Sequence, residues 1–582
     1  MKWTGGAIVT RALEDEGIDL TFGIPGTHNI ELYDALAESP TVRTVLVTDE
    51  QSASFMADGV WRASGRMACV NLVPGAGLTH AMSGIAEAFM DHVPLLVLGC
   101  GIRRDVRRAF QLHDVDQEGI ARPVVKATFR PESGEDLYST IREACRVARS
   151  GAPGPVFVEV PVEMYLFRHD APAELTKGSD GQDVATATRA PVPDAALIEA
   201  AAGLIRSSRS PLLYVGAGAA GASDLVIQLA EHLDAPVSTT FQGKGVLPED
   251  HPLFLWPGFG LTAPSFVRRV ADRCDLTIAV GCRFSEVGTG SYALEPRGKL
   301  IHIDIDPDAL GRNFPATVGI PADAREALAA LLDRLAKDGR EPDEERRSDI
   351  RDGHAEVWEE WLDDVGGAPV SPVHLMRTAQ AVFGPDTVYT TDSGNGTFLA
   401  LEFLRLREPG KFLAPIDYSC MGYAVPAALG AKLARPECPV VSFAGDGAFL
   451  MTGLELLTGV QEGIGAVVCV LRDRELAQIA QFQGTAMNRK TASAVHDYEL
   501  RHLAAGMNVP FLHIEDDESV EASLTEARRL SEEGRPVLVE VTIDYGRRTF
   551  FTQGVVKANL GRLPLKDRVR FIGRAVKRKI TG

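Results

Sequence analysis

Short apolar runs bounded by glycine alternate with amphipathic stretches along most of the chain. This alternation predicts parallel β-sheets covered by helices. It occurs in three blocks, with typical runs at 93–101 (VPLLVLGCG), 275–284 (DLTIAVGCRF) and 438–450 (CPVVSFAGDGAFL). We therefore predict an α/β protein with three doubly wound parallel-sheet domains. Ligands of such sheets bind beyond the carboxyl ends of the strands, so we expect the catalytic and ligand-binding residues in the loops there.

Two polar stretches separate the blocks. Residues 170–195 are rich in Pro, Gly and Thr without an apolar period, which predicts a linker. Residues 337–354 are dense in charge, and we favour a solvated helix face over a functional charge run. The predicted parts are an N-terminal domain at 1–169, a middle domain at 190–336, a C-terminal domain at 368–548 and a basic, helical tail at 549–582.

Composition narrows the class of protein. A net charge of -19 argues against nucleic-acid binding, because a protein that follows phosphates needs a basic face. The 8 cysteines show no CxxC spacing, which favours reduced thiols in a cytoplasmic protein. No apolar run is long enough to span a bilayer, and the N-terminus does not resemble a signal peptide. Leu565, Val569, Ile572 and Val576 give the tail an apolar stripe, which we expect to pack on the acidic body rather than lie on an anionic membrane.

The strongest chemical signal is Gly445-Asp446-Gly447, which ends a predicted buried strand and begins a helix. Glycines let a phosphate approach the backbone at a helix N-terminus, and Asp446 adds a hard oxygen ligand suited to Mg2+. Alone, this segment is equally well explained as a structural turn. Asp473 follows Asp446 by 27 residues, at the end of the next predicted strand. One strand-helix-strand unit would bring the two carboxylates together.

With this spacing the chain resembles the acetolactate-synthase-like branch of thiamine-diphosphate enzymes, whose motif is GDG followed after such an interval by Asn-Asn. Arg472-Asp473 stands in place of that pair, and we expect Arg472 to offset the added charge. The resemblance implies a pyrimidine-binding (PYR) domain, a middle domain and a diphosphate-binding (PP) domain. It also implies Mg2+ ligated by Asp446, Asp473 and the main-chain carbonyl of Glu475.

A second motif lies in the first block. Residues 49–59 (DEQSASFMADG) resemble the family stretch HEQxAxxMADGYAR, whose Glu activates the cofactor. The resemblance implies that Glu50 hydrogen-bonds the aminopyrimidine ring of thiamine diphosphate. Residues 74–80 (PGAGLTH) resemble the GPGxTN turn, with Ala76 and His80 as departures.

Further segments match the cofactor-binding parts of the family. Residues 417–434 resemble the segment that ends MGxGLPAAxGA, which implies that Met421 supports the bent cofactor and that the Ser419 carbonyl meets its amino group. Residues 392–396 (DSGNG) resemble the loop that meets the diphosphate. The implied diphosphate contacts are Gly394, Asn395, Gly445, Gly447 and Ala448.

The substrate side is less well defined. Phe110-Gln111 matches a Phe-Gln pair of acetolactate synthases, and Gln111 is a candidate donor to a substrate carbonyl. His28 and His113 are candidate proton donors, against the alternative of ordinary surface histidines. Gln478 and Phe482 stand in a segment where the family usually has Trp, so the acceptor pocket is altered. Gly216–Gly218 and Arg283 resemble part of an FAD site, but FAD is not favoured, because such glycines also occur in middle domains without it.

The resemblance implies decarboxylation of a pyruvate-like 2-oxo acid and carboligation to a second carbonyl compound. One alternative is a 2-oxo acid decarboxylase or 2-hydroxyacyl lyase without carboligation. Another is a thiamine-fold binding protein without catalysis. The resemblance also implies a homodimer or homotetramer with active sites between subunits.

Overall fold

The computed structural model describes residues 2–106, 108–170, 192–362 and 365–581. In these residues three six-stranded sheets form, and every strand pair within them is parallel. Helices cover the sheets, so the predicted α/β class with three parallel-sheet domains is confirmed. Residues 171–191, most of the predicted linker, lie outside the described residues. The domain bounds stay a prediction, and each sheet falls within one of them.

The first domain contains a parallel sheet in the order β3-β2-β4-β5-β7-β6 and a small antiparallel pair of β1 with β8. Its strands are β1 (Lys2–Thr4), β2 (Leu20–Gly23), β3 (Arg43–Leu46), β4 (Cys69–Leu72), β5 (Leu96–Gly101), β6 (Ala127–Phe129), β7 (Val156–Pro161) and β8 (Arg168–Asp170). Its helices are α1 (Gly5–Asp15), α2 (Ile30–Ala37), α3 (Glu50–Ser64), α4 (Ala76–Met90), α5 (Gln117–Ala121), α6 (Leu137–Arg149) and α7 (Val162–Leu166).

The middle domain has the strand order β11-β10-β9-β12-β13-β14, the arrangement of dinucleotide-binding folds. Its strands are β9 (Pro211–Val215), β10 (Val237–Thr239), β11 (Phe254–Pro257), β12 (Leu276–Val280), β13 (Lys299–Asp304) and β14 (Val318–Pro321). Its helices are α8 (Ala195–Ser207), α9 (Ser223–Leu233), α10 (Ser265–Asp272) and α11 (Ala324–Leu335), and α12 (Glu344–Leu362) leads to the next domain.

The third domain has the strand order β16-β15-β17-β18-β20-β19. Its strands are β15 (Val388–Thr391), β16 (Phe412–Leu413), β17 (Val440–Gly445), β18 (Val467–Arg472), β19 (Phe511–Ile514) and β20 (Val537–Thr542). Its helices are α13 (Pro372–Phe383), α14 (Asn395–Phe403), α15 (Ala424–Ala434), α16 (Asp446–Thr452), α17 (Leu456–Glu462), α18 (Ala477–Met487), α19 (Leu500–Gly506) and α20 (Val520–Glu532). The tail forms α21 (Phe550–Arg562) and α22 (Leu565–Thr581).

The first and third sheets share one topology, in which the first strand lies between the second and the third. The strand order therefore reverses at the same place in both domains, between β2 and β4 and between β15 and β17. Strands there are buried on both faces, which explains near-continuous apolar runs such as Val440–Gly445. A crevice opens at each reversal, where loops leave the sheet in opposite directions.

The two domains pack through a close crossing of α3 with α15. A Cβ added to Gly59 would lie 2.4 Å from the Ala427 carbonyl oxygen, and one added to Gly430 would lie 2.1 Å from the Met56 carbonyl oxygen. Both positions need glycine because the two helix backbones touch there. This crossing fixes the orientation of α3, the helix that begins at Glu50, relative to α15 of the third domain.

The tail packs on α18, the helix that follows the predicted metal loop. Arg574 reaches the sulfur of Met487, and Arg578 donates to the Met487 carbonyl at 3.0 Å. The apolar stripe itself is exposed by half or more at Leu565, Val569, Ile572 and Val576. The tail thus contacts the rest of the protein through Arg574 and Arg578. The expectation that its apolar stripe packs on the body of the protein is not met, because the stripe is exposed. No described helix is long and apolar enough to cross a membrane.

Candidate active site

The site lies at the carboxyl edge of the third sheet, where β15 and β17 are neighbours. The chain leaves β15 for α14 and leaves β17 for α16, and the strand order reverses between the two. Gly394 caps α14 with a φ of 147°, a conformation that favours glycine. The N-terminus of α14 therefore opens on the crevice with a glycine turn, the arrangement that suits a phosphate group.

Asn395 is the first residue of α14, and its side chain is buried. Its Oδ1 atom has no hydrogen-bond partner among the residues that the structure describes. A buried acceptor atom without a partner is costly, so a cation or a hydrogen-bond donor in this crevice would satisfy it. Among the described residues, no atom beyond the chain neighbours lies within 4 Å of a Cβ added to Gly394 or Gly445, so there is open space beside both glycines. The residues therefore fit a bound polar group.

Asp446 ties the glycine turn to the end of β18. Its Oδ1 accepts from the Gly447 N–H at 2.7 Å, and its Oδ2 accepts from the Arg474 N–H at 2.8 Å. Burial raises the pKa of Asp446 above its usual value, and these N–H groups partly offset that rise. The hydrogen bonds hold the carboxylate in one orientation while leaving it free lone pairs for a cation.

Asp473 lies beside Asp446, as the spacing predicts. Burial raises the pKa of Asp473 to about 7, and the neighbouring Asp446 charge adds to the effect. Glu475 follows, and its N–H donates to Asp473 Oδ1 at 3.3 Å. Two oxygen donors with mutually repelling charges suit a divalent cation, because the cation removes the repulsion. The donor set of Asp446, Asp473 and Glu475 therefore fits Mg2+.

Arg472 is held away from Asp473. Its guanidinium donates to Asp497 at 2.6 Å, lies 3.3 Å from Glu540 and stands 4.4 Å from the ring centroid of Tyr498. These contacts do not include Asp473, although the Arg472 charge acts to lower the raised pKa of the neighbouring Asp446, so the expectation that Arg472 offsets the charge of Asp473 stays a prediction. Its side chain instead fastens β18 to β20 and to the loop before α19, because strand side chains alternate between the two faces.

Met421 and Ser419 stand beside these loops. A Cβ added to Gly447 would lie 3.9 Å from Met421 Cε and 2.7 Å from Leu476 Cδ2. Ser419 has a φ of 65°, and its hydroxyl lies 2.7 Å from that of Ser393 in the DSGNG loop. Ala448 is buried in the first turn of α16. The third domain thus brings all the predicted diphosphate and metal residues to one edge.

Glu50 lies at the start of α3, and its side chain is only 10% exposed. Its carboxylate faces α4, where His80 Nδ1 lies 3.4 Å from Glu50 Oε2. Among the described residues, no recorded contact joins this carboxylate to Asp446, Asp473 or Met421. Within the part of the chain that the structure describes, no side-chain contact therefore joins the Glu50 carboxylate to the metal-binding end of the predicted site.

The predicted substrate residues lie in exposed loops of the first domain. Gln111 donates to the Val106 carbonyl at 3.3 Å, beside a fully exposed Phe110. The rings of His28 and His113 lie 5.4 Å apart. Burial lowers the pKa of His28, and the neighbouring His113 lowers it further. The structure brings the two histidines together, but no recorded contact joins Gln111 to Glu50.

Two residues that position the site, Asp392 and Glu455, were not predicted from the sequence. Asp392 accepts from the backbone N–H of Tyr423 at 2.7 Å and thereby positions the segment that carries Met421. Burial raises the pKa of Asp392 to about 7. Glu455, fully buried, holds Thr48 just before Glu50. The available signal for Glu455 was a single carboxylate in the apolar run AFLMTGLELL.

A separate cavity of about 610 Å³ lies where the three domains meet. It includes Gly218, Gly281 and Arg283 among its lining residues. Close packing accounts for the glycines, because a Cβ at Gly218 would lie 2.8 Å from the Gly281 Cα. Arg283 is paired with Asp417 at 2.7 Å. Both predicted FAD features thus have structural explanations that need no flavin.

Comparison with known proteins agrees with this geometry. The N-terminal TPP binding domain of thiamine pyrophosphate enzymes matches residues 3–120, the central domain of these enzymes matches 198–331, and their C-terminal TPP binding domain matches 392–541. The chain belongs to the thiamine pyrophosphate enzyme family. The same three matches support thiamine diphosphate as the cofactor of an enzyme.

Within the family the chain is similar to acetolactate synthases. It is 33% identical over 561 residues to the probable acetolactate synthase large subunit of Methanocaldococcus jannaschii, covering 93% of this chain and 92% of that protein. It is 31% identical over 555 residues to the acetolactate synthase large subunit of Corynebacterium glutamicum, covering 93% and 87%. It is 30% identical over 552 residues to the acetolactate synthase isozyme 3 large subunit of Escherichia coli, covering 93% and 95%. The predicted acetolactate-synthase-like branch is confirmed.

Proposed function

We propose that the protein decarboxylates a pyruvate-like 2-oxo acid and joins the remaining fragment to a second carbonyl compound. The observation that carries this proposal is the meeting of Asn395, Asp446 and Asp473 at the strand reversal of the third sheet. The similarity to acetolactate synthases supports carboligation over simple decarboxylation, and over a thiamine-fold binding protein without catalysis.

The third domain would hold the cofactor through Mg2+. Asp446, Asp473 and the carbonyl of Glu475 would ligate the metal. The diphosphate contacts would come from Gly394, Asn395, Gly445, Gly447 and Ala448. Bound thiamine diphosphate supplies the nucleophile and the electron sink for decarboxylation. Met421 and the Ser419 carbonyl would support its aminopyrimidine end, since both lie beside the glycine turn.

The first domain would supply the groups that act on protons and substrate. Glu50 would hold or release a proton at the aminopyrimidine end, a role supported by its burial and by its place in the motif at residues 49–59. Gln111 would donate to a substrate carbonyl. His28 would act as a neutral imidazole near pH 7, because burial lowers its pKa.

We infer that two copies of the chain complete each site, as a homodimer or a dimer of dimers. This proposal is supported by the Glu50 carboxylate, whose contact within the described residues is to His80 of its own domain. The helices after the glycine turn also expose apolar side chains, with Leu450, Met451 and Leu454 each more than half exposed. Such a face beside a site suits an isologous contact with a second copy.

Mixed variants test this assembly directly. Glu50→Gln damages one half of the site, and Asp446→Ala damages the other. If each site joins two subunits, random mixing of the two inactive variants restores about a quarter of wild-type activity, because half of the dimers regain one intact site. If both halves come from one chain, mixing restores nothing.

The reaction is tested by incubating the protein with thiamine diphosphate, Mg2+ and pyruvate. We expect CO2 release with acetolactate or acetoin as product. Acetaldehyde alone would favour the decarboxylase or lyase alternative. No CO2 from any 2-oxo acid, with no cofactor binding, would favour the binding protein. Glu50→Gln serves as the inactive control.

For the remaining features we propose catalysis without FAD, because packing and the Asp417 pair account for the glycines and for Arg283. The purified protein should then show no flavin absorbance. We also place the protein in the cytoplasm, supported by its eight free thiols. The tail is assigned to protein packing through Arg574 and Arg578, so vesicles of anionic lipid should not sediment the protein.

A further inference from the structure

His80 lies between the buried Glu50 carboxylate and the outside of the chain. Its Nδ1 atom is 3.4 Å from Glu50 Oε2. The His80 side chain is 62% exposed, whereas that of Glu50 is 10% exposed. In the single chain the imidazole is therefore accessible on one side and contacts a carboxylate on the other.

The local fold explains this placement. Gly77 and His80 lie three residues apart on α4, on the same face of the helix. A Cβ added to Gly77 would lie 3.3 Å from Glu50 Oε1. Glycine thus leaves room for the carboxylate, and the same helical turn directs the imidazole toward it.

Asp49 completes the cluster. It caps α3 by accepting from the Gln51 N–H at 2.7 Å. One ligand-type atom from each of Asp49, Glu50 and His80 lies within 4.8 Å of the others. The family stretch has His where Asp49 stands and Asn where His80 stands. The two departures, 31 positions apart, meet in space around Glu50.

We propose that His80 is a positioning and proton-relay residue for Glu50, an inference that rests on the proposed function. The imidazole absent at position 49 is supplied from α4. A protonated His80 passes its Nδ1 proton to Glu50 Oε2, leaving a neutral imidazole and a neutral carboxyl group. His80 then regains a proton from hydronium or a buffer acid. In the reverse direction a neutral His80 accepts the Glu50 proton at Nδ1 and releases it to a base in the solvent.

The other titratable group recorded near Glu50 is Tyr33 on α2. Burial raises the pKa of Tyr33, and the Glu50 charge adds to that rise. The phenol therefore stays protonated at neutral pH and does not exchange protons with Glu50. This leaves Asp49, whose carboxylate lies within 4.8 Å of the other two groups, and His80, which is the exposed member of the cluster in the single chain.

The test uses the full-length protein with thiamine diphosphate and Mg2+, and two measurements. The first is the affinity for thiamine diphosphate by calorimetry. The second is hydrogen–deuterium exchange at C2 of the bound cofactor, followed by NMR after acid quenching. In His80→Ala we expect affinity close to wild type and exchange slowed by at least ~10-fold. Added imidazole should restore the exchange rate.

Two further variants sharpen the result. His80→Asn should slow exchange as His80→Ala does, and the double variant Asp49→His/His80→Asn should recover it by restoring the family arrangement. The matched control is His251→Asn in the middle domain, where an imidazole lies 3.3 Å from Glu231. That control should leave both measurements unchanged.

The outcomes separate the two proposals. If Glu50→Gln slows exchange but His80→Ala does not, the relay is wrong and the proposed function stands. Slow exchange in His80→Ala that imidazole does not restore, together with lost cofactor affinity, would show a structural role and also overturn the relay. If wild type binds no thiamine diphosphate, the proposed function itself fails.

Discussion

The carboxylate of Glu455 holds Thr48, although the two residues are 407 positions apart. It accepts the Thr48 hydroxyl at 2.6 Å and the Thr48 N–H at 3.2 Å. Thr48 precedes Glu50 by two residues, and Glu455 follows the glycine turn of the third domain by one short helix. The two halves of the site are therefore coupled within the chain by a buried hydrogen-bonded contact, although their functional groups do not meet there.

Removing the Glu455 charge tests this coupling. Glu455→Gln places an amide donor near the Thr48 N–H and loses hydrogen bonds to a charged acceptor, which costs about 1.5–3 kcal/mol. We expect a lower urea midpoint. Thr48→Val, which removes only the hydroxyl bond, should cost less, and a double-mutant cycle should show coupling of at least ~0.5 kcal/mol. Additive effects would contradict the coupling.

Replacing Asp473 separates metal binding from stability. In Asp473→Asn the repulsion with Asp446 is removed, so the metal-free protein should become more stable. The same change removes an anionic ligand, so the rise in melting temperature caused by Mg2+ with thiamine diphosphate should shrink. Asp446→Ala should abolish that rise. Calorimetry with and without Mg2+ measures both effects, and a variant with an undiminished Mg2+ response would contradict the assigned ligand.

The glycine turn can be tested by a matched pair of substitutions. Gly447→Ala would bring its Cβ to 2.7 Å from Leu476 Cδ2, whereas Gly445→Ala would meet no atom within 4 Å. We expect Gly447→Ala to lower stability by at most about 1 kcal/mol, because the atom that its Cβ meets is the end of the half-buried Leu476 side chain, which can move aside. Leu476→Ala should relieve the clash in the double variant. Equal destabilisation by Gly445→Ala in the cofactor-free protein would contradict this explanation.

Glu402 predicts a pH dependence of stability. Burial raises the pKa of Glu402 to about 8, against 4.5 for the ordinary group. Between these values the folded chain binds a proton that the unfolded chain has lost, so the contribution of Glu402 to stability falls as pH rises toward 8. In Glu402→Gln the melting temperature should therefore fall less steeply with pH than in wild type. Each kcal/mol of lost stability corresponds to roughly 2–4 °C in melting temperature. Parallel wild-type and variant curves between pH 5 and pH 8.5, a range of about 3.5 units, would contradict the assignment.

Much of the fold could be predicted because apolar runs and glycine turns are local signals. Val440–Gly445 and Val467–Arg472 are strands where the pattern predicts them. The loops that carry Asp446 and Asp473 follow the carboxyl ends of these two strands, as expected. The 27-residue interval correctly placed Asp473 beside Asp446, because one strand-helix-strand unit fixes that geometry. The orientation of Arg472 was not predictable, since its partners Asp497 and Glu540 come from distant segments.

The sequence by itself determined the family, the three-domain α/β class and the residues at the carboxyl edge of the third sheet. These depend on local periodicity, on glycine turns and on short spacings along the chain. Only the tertiary structure decided which groups surround each functional residue. It places the Glu455 carboxylate against Thr48 and the His80 imidazole against Glu50, and it leaves Glu50 without a contact to the glycine turn within the described residues. Such contacts join segments tens to hundreds of residues apart, and they depend on helix crossings such as the one at Gly59 and Gly430, which no local pattern specifies.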